Sequence, residues 1–257
     1  MLTWQLASLV FFAYVALVAE LQPDLPRRKR MLAWIGAALG AAGAAAAASM
    51  PDGGVANVWL LPPALLLLGY WTSGLLFVAP MPAAERLLLA VDATLRVQSV
   101  AARTPRWIAE LLEFAYSGVY LVVPFALWTA MRAGVTPDRF WTIILVVDYV
   151  CFGMLPWIQT RPPRSLGVDA PWRSGWRRLN LRMVDASSIQ VNTFPSGHAA
   201  EALAAFLLVL GASGSLVTLM FAAAVAISAG AVLGRYHYAA DAIAGWAVAL
   251  IIFSLRL

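Results

Sequence analysis

The sequence predicts an all-α polytopic membrane protein, and the prediction depends on its composition and on its apolar stretches. Of the 257 residues, 62% are hydrophobic and only 12% are charged, whereas an average soluble domain is about 45–50% apolar and about 25% charged. So few charged side chains cannot cover a soluble globule of this size. The composition therefore excludes an ordinary soluble enzyme, a disordered chain and, despite a net charge of +5, a nucleic-acid-binding protein.

Eight apolar stretches approach the length of a membrane-spanning helix, which is about 20 residues for a hydrocarbon core of roughly 30 Å. The first has no basic n-region, so it is interpreted as a true span and not as a cleavable signal. The second places Gly36 and Gly40 at the small-xxx-small spacing of closely packed helices, although a weakly hydrophobic filler helix fits equally well. The predicted spans are 2–21, 31–49, 57–79, 107–131, 139–160, 198–212, 215–234 and 239–256.

Two long polar stretches are predicted to lie on the membrane surface. Residues 83–106 contain Glu85 and Asp92 together with several arginines, which would each cost a few kcal/mol in hydrocarbon. The leucines of this stretch can share one face of an interfacial amphipathic helix. Residues 166–188 are rich in tryptophan and arginine, which favour the headgroup level and anionic lipid; a solvated basic loop is the alternative.

The distribution of basic residues predicts the orientation. With eight spans, the loops at 22–30, 80–106, 161–197 and 235–238 share one side, which then holds 15 of the 18 basic residues. The other side holds Arg132, Arg139 and Arg256. The positive-inside rule therefore predicts a multi-pass protein of a plasma or inner membrane, with these four loops in the cytoplasm and both termini outside.

Both histidines lie in polar junctions that this topology brings to one membrane face. His198 ends the sequence Phe-Pro-Ser-Gly-His and opens the sixth span, while His237 precedes the eighth span with Asp241 four residues later. A third junction, Thr-Arg-Pro-Pro-Arg, follows the fifth span and carries Arg161 and Arg164. Two imidazoles, a carboxylate and several guanidiniums at one interface are the groups that phosphoryl transfer requires.

Each of these groups has a chemical reason to be there. Unpaired N–H groups and the dipole at a helix start favour an anion, and Ser196 and Gly197 lie at the start of the sixth span. Asp241 lies one helical turn from His237, so it can fix the imidazole tautomer and leave the other ring nitrogen free to attack. Guanidiniums bind phosphate oxygens without a metal, which predicts a phosphate site formed by Arg161, Arg164 and Arg235.

The arrangement of these motifs resembles the type-2 phosphatidic acid phosphatase superfamily. The motif Pro-Ser-Gly-His at 195–198 is followed about forty residues later by His237-x-x-x-Asp241, with an Arg-Pro motif upstream. The resemblance covers roughly residues 57–257. It implies a six-helix catalytic core over 51–257, preceded by two additional N-terminal spans over 1–50.

The resemblance also implies a role for each site residue. His237 would be the nucleophile that forms a phosphohistidine, Asp241 its orienting partner, and His198 the acid that protonates the leaving group. Ser196, Gly197 and the arginines would hold the phosphate of a membrane lipid. The sequence departs from the family where a lysine and an arginine are usual, since Met154 and Ala231 stand there. In motif detail it is closer to the branch that contains the inositol-phosphorylceramide and sphingomyelin synthases.

The roles of several residues, and the choice between three functions, stay open on the sequence alone. Glu201 could tune His198 or act as a favourable charge at the helix start, and Asp148, inside the fifth span, could be functional or a polar anchor. A metal site is disfavoured, because Cys151 is the only cysteine and the chain has two histidines. No cofactor is expected. The predicted function is a lipid-phosphate phosphatase; the alternatives are a phosphotransferase with an alcohol acceptor such as inositol, and a lipid-phosphate-binding transporter or scaffold.

Overall fold

The computed structural model describes residues 1–255 and confirms the all-helical class, with twelve α-helices and no β-strand in that range. Arg256 lies outside the described residues. It is the last residue of the eighth predicted span and one of the three basic residues counted on the side opposite the four basic loops. In chain order the helices are α1 (Thr3–Leu21), α2 (Arg27–Ala47), α3 (Leu61–Gly74), α4 (Pro82–Thr94), α5 (Val97–Arg103), α6 (Arg106–Ser117), α7 (Val119–Arg132), α8 (Pro137–Gly153), α9 (Gly175–Ser187), α10 (Gly197–Leu208), α11 (Gly214–Leu233) and α12 (Ala239–Ser254).

Three of these helices, α1, α2 and α11, are long and apolar enough to cross a bilayer. Helices α6 and α7 pass the same test as a pair, but they meet at an angle of 63° at Gly118, where a single span over 107–131 was predicted. Glycine is a poor helix former, and hydropathy does not register a bend between two apolar segments. Within residues 1–255, length and composition support three spans, or four with the bent pair. The eight-span topology stays a prediction.

The remaining predicted spans are shorter as helices. Helix α8 ends at Gly153, although its span was predicted to reach residue 160, because residues 154–160 turn toward the polar junction. Helices α10 and α12 are apolar but have only 12 and 16 residues. The stretch 83–106 folds as two short helices, α4 and α5, with Arg96 between them at φ 53°. The positions of α4, α5 and α9 relative to a bilayer stay predictions.

Helix α10 lies at the centre of the fold and contacts α7, α8, α11 and α12. Its alanines allow this close packing, because small side chains let helix backbones approach one another. At its first turn, a Cβ on Gly245 of α12 would lie 2.6 Å from the carbonyl oxygen of Ser196. The start of α10, which carries the Ser-Gly-His motif, is therefore packed tightly against α12.

The two N-terminal helices pack on one another and on the rest of the chain. Helix α1 contacts α2 and α8, and α2 contacts α3. A Cβ on Gly36 would lie 2.6 Å from Oγ1 of Thr72, and one on Gly40 would overlap the ring of Phe12. The close packing that the small-xxx-small spacing predicted for α2 is therefore confirmed.

Replacing Gly230 by alanine should destabilise the fold. A Cβ at this position of α11 would lie 2.5 Å from the carbonyl oxygen of Leu112 in α6, and backbone cannot move aside as a flexible side chain can. We expect Gly230→Ala to lower the free energy of unfolding by about 1–3 kcal/mol, measured by thermal unfolding in detergent. Gly214→Ala is the matched control, because its Cβ would meet nothing within 4 Å. Equal stability of the two variants would contradict this packing.

Candidate active site

The three polar junctions identified in the sequence are hydrogen-bonded to one another. The amide of Asn192 donates to the carbonyl of Thr160 at 2.9 Å, which joins the chain after α8 to the chain before α10. The amide of Ser196 donates to the carbonyl of Asp241 at 3.0 Å, and the amide of Arg164 to the carbonyl of Arg235 at 3.3 Å. The ends of α8 and α11 and the starts of α10 and α12 thus form one polar layer.

His237 and Asp241 form a buried pair in this layer. Nδ1 of His237 lies 3.3 Å from Oδ2 of Asp241, and the same oxygen accepts a hydrogen bond from the amide of Tyr238 at 2.9 Å. Both side chains are buried. A carboxylate at Nδ1 holds the imidazole in the tautomer that carries its proton there, which leaves Nε2 with a free lone pair.

His198 lies beside His237 in the first turn of α10. The centroids of the two rings are 5.9 Å apart. The ring of His198 stacks on that of Tyr116 at 5.1 Å, and Tyr116 stacks on Tyr236 at 4.1 Å. This aromatic stack fixes the plane of His198 through contacts with α6 and with the loop before α12. No motif in the sequence predicts it.

Both histidines line a cavity of about 630 Å³. Its polar end carries His198, His237 and Arg164. Most of the remaining wall is apolar, as is usual for ligand-binding pockets. The apolar wall comes from α3, from the residues just before it, and from α7, and includes Trp59, Pro63, Leu66, Leu67, Trp71, Val123 and Pro124.

The three arginines predicted to bind phosphate occupy different environments. Arg164 lines the cavity, with its guanidinium carbon 5.4 Å from the ring centroid of Tyr236. Arg161 forms a bidentate pair with Glu85, in which Nε and Nη2 each lie 2.9 Å from a carboxylate oxygen. Nη2 of Arg235 lies 2.8 Å from Oδ2 of Asp92. The structure thus brings one of the three to the cavity and pairs the other two with α4.

Helix α4 therefore stabilises the polar layer through two acidic side chains. Glu85 and Asp92 are seven residues apart, which is about two helical turns, so they project from one face. Besides pairing with Arg235, Asp92 accepts a hydrogen bond from the amide of Ala239 at 2.8 Å, at the start of α12. Helix α4, part of the predicted interfacial stretch, therefore directs two of its carboxylates into the protein.

The pair of Glu85 with Arg161 should make stability depend on pH. Hydrogen bonds from Arg161 hold the pKa of Glu85 below its ordinary value of 4.5. A depressed folded-state pKa adds stability above the ordinary pKa, and that stability is lost as the pH falls through the folded value. We expect wild type to unfold at a higher temperature than Glu85→Gln near neutral pH. The gap should begin to close below about pH 4.5 and vanish at lower pH. The exposed Asp52→Asn is the control, and a gap that widens on acidification would contradict the pairing.

Ser196 and Gly197 form the start of α10. The Ser196 hydroxyl caps the helix by accepting a hydrogen bond from the amide of Ala199 at 3.4 Å, and its side chain is buried. Gly197 lines the cavity together with His198. The positive end of the α10 dipole therefore faces the polar end of the cavity, where an anion would be stabilised.

Asp148 and Glu201 also line this cavity. Asp148 lies against Gly197, where a Cβ would be 3.1 Å from its Oδ1, and its Oδ2 has no hydrogen-bond partner among residues 1–255. Glu201 is one turn along α10 from His198. Over the described part of the chain, no group of three or more His, Cys, Asp and Glu side chains is placed to hold a metal ion.

A buried network around Glu113 was also missed by the sequence reading. Glu113 of α6 accepts hydrogen bonds from Nη1 of Arg177 at 2.8 Å, from Nδ2 of Asn180 at 2.8 Å and from the Tyr236 hydroxyl at 2.7 Å. The network ties α6 and α9 to the residue just before His237. Buried polar groups that are satisfied in this way fix one arrangement of the chain.

Comparison with known proteins agrees with this site. The sequence model of the PAP2 superfamily matches residues 66–255, which include all three polar junctions. The chain belongs to the PAP2 superfamily. No curated protein and no solved structure matches it. Membership of the superfamily indicates a membrane protein with activity of the phosphatase or phosphotransferase type.

Proposed function

We propose that the protein is a lipid-phosphate phosphatase that hydrolyses a phosphomonoester or diphosphate lipid through a phosphohistidine intermediate. The observation that carries the proposal is the placement of the oriented pair His237–Asp241 beside His198 in one cavity with a largely apolar wall. A lipid-binding transporter or scaffold needs cations for the phosphate, but it has no need of an oriented imidazole.

The first half of the reaction transfers the phosphoryl group to the protein. Nε2 of His237 attacks phosphorus and forms the P–N bond while the bond from phosphorus to the lipid oxygen breaks. His198 gives its proton to that oxygen, so a phosphomonoester lipid leaves as a neutral alcohol and a diphosphate lipid leaves as its monophosphate. Asp241 stabilises the positive charge that His237 acquires, because it accepts the Nδ1 hydrogen bond throughout.

The second half regenerates the histidine. A water molecule attacks phosphorus, the P–N bond breaks, and inorganic phosphate leaves. His198, deprotonated by the first step, now takes the proton of the attacking water, which restores both imidazoles. An alcohol that reaches phosphorus before water would convert the same intermediate into a new phosphate ester, which is the phosphotransferase alternative.

Charge on the transferred group is balanced by residues at the polar end of the cavity. Arg164 and the N-terminal turn of α10 at Gly197 would hold the phosphate oxygens. Ser196, which was predicted to bind phosphate, is fully buried and instead caps this helix, so its role would be to hold that turn in place. Arg161 and Arg235 are ion-paired with Glu85 and Asp92, so they hold the polar layer together and add little net charge at the phosphate. Because the Arg164 guanidinium and a helix terminus supply positive charge, the proposed reaction needs no metal ion.

The proposal is tested by the products that the purified protein makes from a panel of lipid phosphates. We expect release of inorganic phosphate from phosphatidate, phosphatidylglycerol phosphate or a polyprenyl diphosphate, measured by mass spectrometry and unaffected by excess EDTA. An inositol phosphate that appears only with added inositol would favour the phosphotransferase. Binding without any product would contradict both enzymes, and a loss with EDTA that magnesium restores would contradict the metal-independent scheme.

We also propose that the site faces the cytoplasm. The test uses two single-cysteine variants in a Cys151→Ala background. Arg173→Cys changes a residue before α9 on the side of the polar junctions, whereas Arg132→Cys changes the last residue of α7, near the start of α8 and so at the other end of α8 from the polar junction. Both positions are exposed, and both changes remove one arginine. A membrane-impermeant thiol reagent on intact cells should label position 132 and spare position 173. Labelling of position 173 but not of position 132 would contradict this orientation and show that the site faces the outside of the cell.

A further inference from the structure

Two carboxylates lie on the side of the cavity where the leaving group would be protonated. Glu201 follows His198 by three residues on α10, which is about 5 Å along the helix axis. Asp148 of α8 lies against Gly197, the residue before His198. His237 approaches from the loop before α12, so in the proposed reaction the nucleophile and the two acids flank phosphorus from different sides.

Neither carboxylate has a counter-ion among residues 1–255. Among the described residues, no Lys, Arg or His nitrogen lies within 4.0 Å of either one. Asp148 is only 1% exposed, and its Oδ2 has no hydrogen-bond partner in the described part of the chain. Arg164, the guanidinium that lines the same cavity, is oriented toward Tyr236 instead. Buried acids without a counter-ion are disfavoured as carboxylates, and a ligand that brings a positive charge would stabilise them in that form.

We infer that Asp148 and Glu201 bind an ammonium group on the leaving alcohol of the lipid. The inference rests on the proposed function and narrows its substrate to a class. The substrate would be a long-chain amino-alcohol phosphate, in which a basic amine lies one or two carbons from the phosphorylated oxygen. Its phosphate would meet His237 and Arg164, while its amine would meet the two acids next to His198.

The cavity wall favours a cation over an uncharged polyol. Tyr120 of α7 lines the cavity and meets His198 edge-on, with the ring centroids 6.3 Å apart, and Tyr70 and Tyr116 line it as well. Aromatic faces attract ammonium groups. A polyol could exchange hydrogen bonds with the two acids, but only a cation would stabilise both of them as carboxylates.

The test compares three phosphates of equal chain length on the purified protein. The first is a sphingoid-base phosphate with a free amine, the second its N-acetylated derivative, and the third an alkyl phosphate without nitrogen. We expect kcat/KM for the amine to exceed that of the other two by about 10-fold to 100-fold, the usual range for hydrogen bonds to charged groups. Asp148→Asn and Glu201→Gln should each reduce this ratio toward one, whereas Asp138→Asn, at the far end of α8, should leave it unchanged.

The ratio separates substrate preference from folding, because a general loss of active protein lowers all three rates together. A ratio near one in wild type, or a ratio that both variants leave unchanged, would overturn the inference while the proposed function stands. Failure to hydrolyse any of the three, together with the earlier lipid panel, would instead contradict the proposed function.

Discussion

Replacing His237 by alanine should abolish turnover. Neither alanine nor glutamine can accept a phosphoryl group, so His237→Ala and His237→Gln should both lower kcat by about 10⁴-fold or more, the scale of loss expected when a nucleophile that acts as a unit with its partners is removed. The measurement is release of inorganic phosphate from the best lipid of the panel. The variants should keep the elution volume and unfolding temperature of wild type in detergent.

The control for His237 is a change that removes charge but touches neither the cavity nor the polar layer. Arg132→Ala serves this purpose and should retain activity, because Arg132 ends α7 near the start of α8, away from the polar layer. Near-wild-type turnover by His237→Ala would contradict the role of His237 as the nucleophile. The only other histidine in the sequence is His198, which the proposal uses as the acid.

Loss of His198 should depend on the leaving group. His198→Ala should lower kcat/KM for an alkyl lipid phosphate by about 10²-fold to 10⁴-fold, because an alkoxide leaves poorly without a proton. The same change should have a much smaller effect on kcat/KM for a nitrophenyl phosphate, whose leaving oxygen needs no proton. kcat/KM is the right quantity, since it reports the steps up to departure of the leaving group.

An equal loss on both substrates would contradict the role of His198 as the acid. It would mean instead that the ring shapes the cavity, for example through its stacking on Tyr116. His198→Gln provides a second comparison, because glutamine retains a polar side chain of similar size but cannot transfer a proton.

The residues at the polar end of the cavity could be predicted because they lie in local motifs that are separated by an even number of predicted spans. Each motif lies at the end of an apolar helix, and helices that cross in even number return the chain to the same face. His198, His237 and Arg164 were therefore expected near one another, and the structure places all three in one cavity. The pairing of His237 with Asp241 follows from one helical turn of spacing.

The partners of Arg161 and Arg235 could not be predicted in the same way. Glu85 and Asp92 are remote from them in sequence, and no local spacing links α4 to either loop. A signal was present, since two acids seven residues apart share one helix face. A single sequence does not say whether that face meets lipid, water or protein.

The extent of the membrane spans was also only partly predictable. Hydropathy detects α1, α2 and α11 well, because each is one long apolar helix. It treats residues 107–131 as equally continuous, although the chain bends by 63° at Gly118. The bend brings Tyr116 of α6 beneath His198, so the feature that hydropathy misses is one that shapes the site.

The stereochemical course at phosphorus tests the central claim most directly, because it does not require an intermediate to accumulate. The substrate is a lipid phosphorothioate made chiral with oxygen isotopes, hydrolysed in isotopically labelled water. Two successive displacements, first by His237 and then by water, each invert phosphorus, so the account predicts net retention of configuration. Net inversion would mean that water attacks the lipid phosphate directly, and would contradict the phosphohistidine.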